Sequence, residues 1–159
     1  MIDKIDAALL DELQKDSSKK IHELAKLLRL PRSTVYNRIK RLEREGAIKG
    51  YKAVVDATKI GRPVTALVNI ITTGLSQKDV AKRLATFGIV EEIFVVTGPY
   101  DLVAKVRLKD TDELGRFVLD EKAGIKSEKS TVRTESHLVI EILKENGAIP
   151  PVVNQKERI

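Results

Sequence analysis

Pro31-Arg32-Ser33-Thr34-Val35-Tyr36-Asn37-Arg38-Ile39-Lys40-Arg41-Leu42-Glu43-Arg44-Glu45-Gly46 is the stretch around which the rest of the chain is organised. Val35, Ile39 and Leu42 recur at spacings of four and three, the period of one helical face, so that face is expected to be buried. At ~100° per residue, Ser33, Thr34, Asn37, Arg41 and Arg44 fall within about 60° of the opposite pole, with Arg38 and Lys40 on the flanks. The stretch holds no thiol, metal ligand set or acid pair. It offers donors and cations, the groups that bind phosphates and base edges in a DNA groove.

The composition supports that direction. With 159 residues and 42% hydrophobic content the chain can form one domain or two small ones. Its apolar runs fall far short of the ~18 residues of a spanning helix, so no membrane segment is expected. The acidic, helical opening Met1-Ile2-Asp3-Lys4-Ile5-Asp6 is unlike a secretory signal, and a cytoplasmic location is expected. The absence of cysteine excludes disulfides, thiol catalysis and Cys-based metal sites, and no cofactor or metal is expected. The net charge of +6 is unevenly spread: residues 1–52 carry 13 Lys/Arg against 8 Asp/Glu, the remainder 16 against 15. A basic cluster that includes Arg32, Arg38, Lys40, Arg41, Arg44 and Lys49 is the footprint of a nucleic-acid binder; its bland reading is a solvated, salt-bridged surface helix. Three Gln, four Asn and one Met beside 33% charged residues point to a thermophilic source.

Upstream, Asp3 can cap a helix carrying Ile5, Leu9 and Leu13, ending near Asp16. A second helix places Ile21, Leu24, Ala25 and Leu28 on one face. Pro31 prevents simple continuation, so a third helix follows after a brief turn, and Gly46 stops it with a left-handed cap. Two short helices joined by about three or four residues, the second basic, make a helix-turn-helix. Ala47 to Asp56 is expected to form short strands turning at Lys49-Gly50.

Glu23-Leu24-Ala25, Ser33-Thr34-Val35, Arg38-Ile39-Lys40-Arg41-Leu42-Glu43 and Gly46-Ala47-Ile48-Lys49-Gly50-Tyr51 together resemble the DNA-binding half of the Lrp/AsnC (feast/famine) transcriptional regulators, over roughly residues 2–61. The resemblance implies double-stranded DNA as a partner and an archaeal or thermophilic origin. Two positions depart from the family pattern: Pro31 stands where a Ser-type N-cap is usual, and Tyr36 where a smaller polar residue is common.

After Gly61-Arg62-Pro63 the periodicity changes. Val64–Thr73 reads as a strand ended by Gly74, Ser76 and Asp79 as a capping box, and Val80, Leu84 and Phe87 as the stripe of a helix. Strands over 90–97 and 102–109 flank the turn Gly98-Pro99-Tyr100-Asp101; a helix carries Leu114, Phe117 and Val118, and a long last strand runs from Val132 to Leu143. Phe87-Gly88-Ile89 answers Ala123-Gly124-Ile125, so the pattern is a repeated β-α-β. Such a unit folds as a four-stranded antiparallel sheet with two helices on one face. The other face, expected to be apolar, would bury against a second copy, making a homodimer. The fold class is therefore α+β: a helix-turn-helix domain (1–52), a linker strand (53–63), a ferredoxin-like βαββαβ domain (64–145) and an extended tail (146–159) to which no chemistry is assigned.

This second half resembles the family's effector-binding and oligomerisation domain. The resemblance implies that Gly98, Pro99, Tyr100 and Asp101 help bind a small amino-acid effector between dimers, in larger even-numbered oligomers, with Thr131, Arg133 and Thr134 completing the site. From the residues alone, Gly-Pro-Tyr-Asp is ordinary turn chemistry; Gly98 permits close backbone approach, and Asp101 can pair with an ammonium group.

On the DNA side, Ser33, Thr34, Tyr36, Asn37, Arg38 and Arg41 are placed to read bases, with Asn37 suited to adenine and Arg38 or Arg41 to guanine, whereas Lys40, Arg44 and Lys49 suit phosphates. Two alternatives stand beside a sequence-specific regulator. One is an architectural protein that coats DNA with little sequence choice. The other is an enzyme, since some proteins similar to this family are haem-precursor decarboxylases; His137 is the residue that would serve one, and its bland reading is an ordinary surface histidine.

Overall fold

A computed structural model describes residues 2–73, 77–127 and 129–153. It divides into two compact units, Met1–Val54 together with the segment from Lys144 onward, and Val55–Leu143.

The first unit holds α1 (Lys4–Lys15), α2 (Ile21–Leu28) and α3 (Arg32–Arg44). Asp3 caps α1 in a reciprocal box with Asp6, each carboxylate accepting the other's backbone N–H at 2.8 and 3.2 Å. α2 ends at Arg29, whose φ of 53° is left-handed, and Leu30 N–H returns to the Ala25 carbonyl at 2.9 Å. Pro31 then opens α3 with no side-chain cap, and Gly46 (φ +73°) closes it. Leu9, Leu13, Leu24, Ala25, Val35, Ile39 and Leu42 form one buried cluster, so the apolar stripes of all three helices meet as expected.

Outside these helices the expected short strands do not form, and the tail is extended as expected. Residues 47–63 form no strand: the 47–56 stretch finds no pairing strand among the described residues, and 56–62 is a turn in which Arg62 N–H bonds the Ala57 carbonyl at 2.8 Å. The tail joins the first unit, where the Gln14 side-chain amide clasps the Ile149 backbone in both directions, at 3.1 and 2.8 Å.

The second unit runs β1 (Val64–Thr72), α4 (Gln77–Leu84), β2 (Val90–Val95), β3 (Leu102–Leu108), α5 (Thr111–Leu119), a 3-10 turn (Ile125–Ser127) and β4 (Thr131–Leu138). The sheet is fully antiparallel in the order β2-β3-β1-β4, which is the ferredoxin-like arrangement. Ala66, Val68, Ile70, Leu102, Ala104, Val106 and Leu108 alternate inward against Val80, Leu84, Phe117 and Val118 of the two helices. Phe87 lies beyond α4 and meets Phe117 edge-on at 5.3 Å. The expected strand end at Gly74 and the Ser76 half of the capping box lie outside the described residues, as does the tail from 154.

β4 stops at Leu138 rather than Leu143. Its neighbour in the sheet, β1, begins at Val64, so beyond the Val139 N–H to Thr65 carbonyl bond (2.9 Å) there is no ladder left to join, and Ile140 and Leu143 stand exposed. The two halves of the repeat also differ: a Cβ at Gly88 would meet nothing, whereas one at Gly124 would lie 2.6 Å from the Phe117 carbonyl oxygen. Finally, the open face of the sheet is mixed rather than apolar. By register it presents Leu67, Ile71, Phe94 and Val103 beside Lys105, Arg107, Arg133, Glu135 and His137.

Candidate nucleic-acid interface and effector turn

The buried stripe of α3 fixes what its other side can offer. Arg32, Ser33, Tyr36, Asn37, Lys40 and Arg44 are exposed, as is Lys49 just beyond the helix, while Thr34 is half-buried. Among the described residues, no ion pair engages Arg32, Arg44 or Lys49. Lys40 pairs with Glu43 at 2.8 Å and lies 5.9 Å from the centre of the Tyr36 ring; Tyr51 donates to the same Glu43 at 3.0 Å. An exposed pair of this kind is weak and yields to a phosphate.

Arg38 and Arg41 are placed differently from the sequence expectation. Arg38 Nη1 bonds Asp3 at 2.6 Å and Asp6 at 2.7 Å, and Arg41 Nη2 bonds the second oxygen of Asp6. Asp6 is 0% exposed. Arg38 and Arg41 are thus opposed by acid from the start of α1, with Glu45 a further 4.0 Å from Arg41 Nε, and the two arginines assigned to guanine are drawn partly out of solvent. Burial works to raise the Asp3 carboxyl, but the Asp6 backbone N–H and the Arg38 guanidinium outweigh it and hold that group below the ordinary range, while Asp3 and Asp6 raise Arg38 further. Asp6 is the residue the sequence reading passed over. Its signal was present: Asp6, Leu9 and Leu13 share one face of α1, and a carboxylate on a buried stripe needs cationic partners.

At the other candidate site, Gly98 adopts φ +117°, in the region that favours glycine. Asp101 turns inward. Its carboxylate accepts from the Thr72 backbone N–H at 2.7 Å, the Thr72 hydroxyl at 3.2 Å and Gln77 Nε2 at 2.7 Å. These bonds tie the turn to β1 and α4, so the expected ammonium partner is a structural anchor here. Tyr100 instead donates to Glu135 on β4 at 2.8 Å, and that carboxylate pushes the phenol above its ordinary pKa. The β4 residues divide between faces. Thr134 pairs with Ile70, Arg133 with Ile71 and Thr131 with Thr72 across a bulge, so alternation sends Arg133 to the open face, 3.6 Å from Glu135, and Thr134 to the helix side. Thr131 Oγ1 is buried with no hydrogen-bond partner among the described residues. Pro99 is exposed. His137 is an exposed edge-strand residue 3.0 Å from Glu135.

Comparison with known proteins bears on the two domains. An AsnC-type helix-turn-helix domain matches residues 2–43, and the Lrp/AsnC ligand binding domain matches residues 65–149. The chain belongs to the Lrp/AsnC family. Like its relatives it is a transcriptional regulator. It is 33% identical over 150 residues to the HTH-type transcriptional regulator FL11 of Pyrococcus furiosus, covering 94% of this chain and 97% of that one. Among solved structures it is similar to the feast or famine regulatory protein Rv3291c of M. tuberculosis complexed with L-methionine (28% identity, TM-score 0.86, 95% and 100% of the two chains). The fold also matches the L-Met complex of the regulator NMB0573 of Neisseria meningitidis (23% identity, TM-score 0.88, 94% and 97%). No helix among the described residues of this Lrp/AsnC regulator is long and apolar enough to cross a membrane.

Proposed function

We propose that this Lrp/AsnC regulator reads DNA sequence as a cytoplasmic homodimer, whose assembly and DNA affinity respond to a small amino acid held at the Gly98 turn. One observation carries the reading: α3 presents Ser33, Tyr36 and Asn37 to solvent, with Arg32 and Arg44 at its ends exposed and outside any ion pair among the described residues. Asn37 is the base reader, able to bond an adenine edge through both amide atoms, and Arg32, Arg44 and Lys49 hold phosphates. Arg38 and Arg41 leave that list because Arg38 Nη1 and Arg41 Nη2 are engaged by Asp3 and Asp6.

Dimerisation is supported by the open sheet face, where Leu67 and Phe94 are exposed between charged residues. Two copies of α3 then meet half-sites one helical turn, about 34–36 Å, or a multiple apart. Larger even-numbered assemblies would place effector turns of different dimers near one another. For the effector, the Gly98 backbone offers an N–H to a carboxylate, and Thr131 Oγ1, buried with no hydrogen-bond partner among the described residues, offers a further polar contact. Kinship supports an amino acid, since similar regulators are solved with L-methionine.

The test is selection of bound duplexes from a random pool, with and without each of the twenty amino acids. A palindromic consensus whose recovery shifts with one amino acid is expected. Recovery of unenriched DNA points to the coating alternative. Asn37→Ala should lower the ratio of specific to random affinity by about tenfold, within the 1–3 kcal/mol of a bidentate base contact; equal losses on both would remove Asn37 as reader.

A further inference from the structure

Arg38 and Arg41 sit on the flank of the face that α3 would turn to DNA, and both remain partly exposed, with side-chain exposures of 22% and 34%. The carboxylates that hold them come from another helix. Asp6 is completely buried and gives one oxygen to each arginine; Asp3 adds a second acceptor for Arg38. Stability alone is a poor reason for this cluster, because a buried ion cluster contributes no more than apolar residues of similar volume would. The cluster is also incompletely satisfied: Arg41 Nε is buried and makes no hydrogen bond among the described residues. Locally Asp3 and Asp6 offset the two guanidiniums, with Glu45 4.0 Å from Arg41 Nε as a further acid, so two guanidiniums that add to the formal charge of α3 add little to the field a phosphate would meet.

We infer that Asp6, assisted by Asp3, is a specificity-determining residue that occupies Arg38 and Arg41 as an internal stand-in for phosphate. Non-specific affinity for DNA grows with each cation that displaces counterions, whereas base discrimination does not. Withholding two arginines lowers the background against which Asn37 discriminates and fixes the flank of α3 against α1. This inference rests on the DNA-binding reading above. It adds that affinity for random DNA is set by fewer cations than the helix carries.

The experiment measures affinity for a random-sequence duplex between 50 and 200 mM salt for the full chain and its variants. Each phosphate contact adds about 0.9 to the log–log slope, or about threefold in affinity over that range. Arg44→Ala serves as the reference and should flatten the slope by about one contact. Arg41→Gln should leave the slope unchanged, because Arg41 is already occupied. Asp6→Asn should steepen it by about one contact, since Asp3 still retains Arg38, and Asp3→Asn/Asp6→Asn by about two. Adding Arg41→Gln to Asp6→Asn should return the slope to that of the native chain, which a merely structural role for Asp6 would not produce. A flatter slope for Arg41→Gln alone, or an unchanged slope for a folded Asp6→Asn, overturns the inference. If Asp6→Asn does not fold, Arg41→Gln decides alone. Failure of the native chain to bind DNA would instead overturn the DNA-binding reading.

Discussion

Replacing Asp101 by Ala tests the reassignment of this residue from ligand contact to anchor. The carboxylate accepts three hydrogen bonds, two from Thr72 and one from Gln77, and Thr72 is only 6% exposed. Gln77 can turn to water. The Thr72 N–H cannot easily do so, and stranding it costs about 1–3 kcal/mol, with the loss of a charge-assisted acceptor for the hydroxyl adding roughly one more. Asp101→Ala should therefore destabilise the second unit by about 3 kcal/mol, which for a domain of this size lowers Tm by roughly 12–24 °C. Asp101→Asn keeps one oxygen for Thr72, and Gln77 can flip to offer its carbonyl, so about 1 kcal/mol should be lost. Thermal unfolding followed by circular dichroism gives the magnitude, and exchange of the Thr72 amide proton locates it. If Asp101→Ala unfolds within a degree or two of the native chain while amino-acid response disappears, the anchor argument is wrong and the ammonium-pairing role returns.

Gly124→Ala should destabilise by about 3 kcal/mol, because the new Cβ would lie 2.6 to 2.8 Å from the carbonyl oxygens of Phe117, Arg116 and Asp120, none of which can retreat; Gly88→Ala, in open space, is the matched control in the same thermal assay. Glu91 should make the second unit acid-sensitive: burial raises its pKa, but Arg107 and Lys105, at 2.8 and 3.1 Å, outweigh that and hold it below the ordinary carboxylate value. A depressed carboxylate contributes its stability above the unfolded pKa and loses it as pH falls through the folded one, so Tm should drop from about pH 5 downward and drop less in Glu91→Gln. Phe94→Glu should place a carboxylate in the apolar part of the open face and convert the proposed dimer into a 17.7 kDa monomer by light scattering, whereas an unchanged mass would move the proposed interface elsewhere.

What was legible in the sequence is what local spacing determines. Leu9, Leu24, Val35 and Leu42 are recognisable as core because each lies on a stripe within its own helix, and the alternation in β1 and β3 is equally local. The misread features depend on partners distant in the chain. β4 ends where β1 begins, 70 or more residues earlier in sequence. Arg38 and Arg41 find Asp6 across separations of 32 and 35 residues, and Asp101 finds Thr72 across 29. The mixed character of the open sheet face follows from pairing register, which decides that Arg133 and Glu135 share a side with Leu67. The segment 47–63 satisfies the strand pattern but has no neighbouring strand among the described residues to hydrogen-bond it.

The same distinction changes what a basic helix says about DNA. By composition α3 is a stripe of five cations, Arg32, Arg38, Lys40, Arg41 and Arg44. Once Arg38 and Arg41 are given to α1 and Lys40 to a weak surface pair with Glu43, the free charge lies at the two ends. Arg32 and Arg44 are separated by about 18 Å of helix axis at 1.5 Å per residue. The major groove is about 12 Å wide, so side chains at the two ends of a helix lying across it reach phosphates on its two walls. Between them, the charged neighbours of Ser33, Tyr36 and Asn37 along the helix are Lys40 and the acid-paired Arg38 and Arg41. That distribution favours discrimination over affinity, because the centre of the helix meets base edges with hydrogen-bonding groups whose worth depends on which base is present, while the ends meet phosphates that are the same on every sequence.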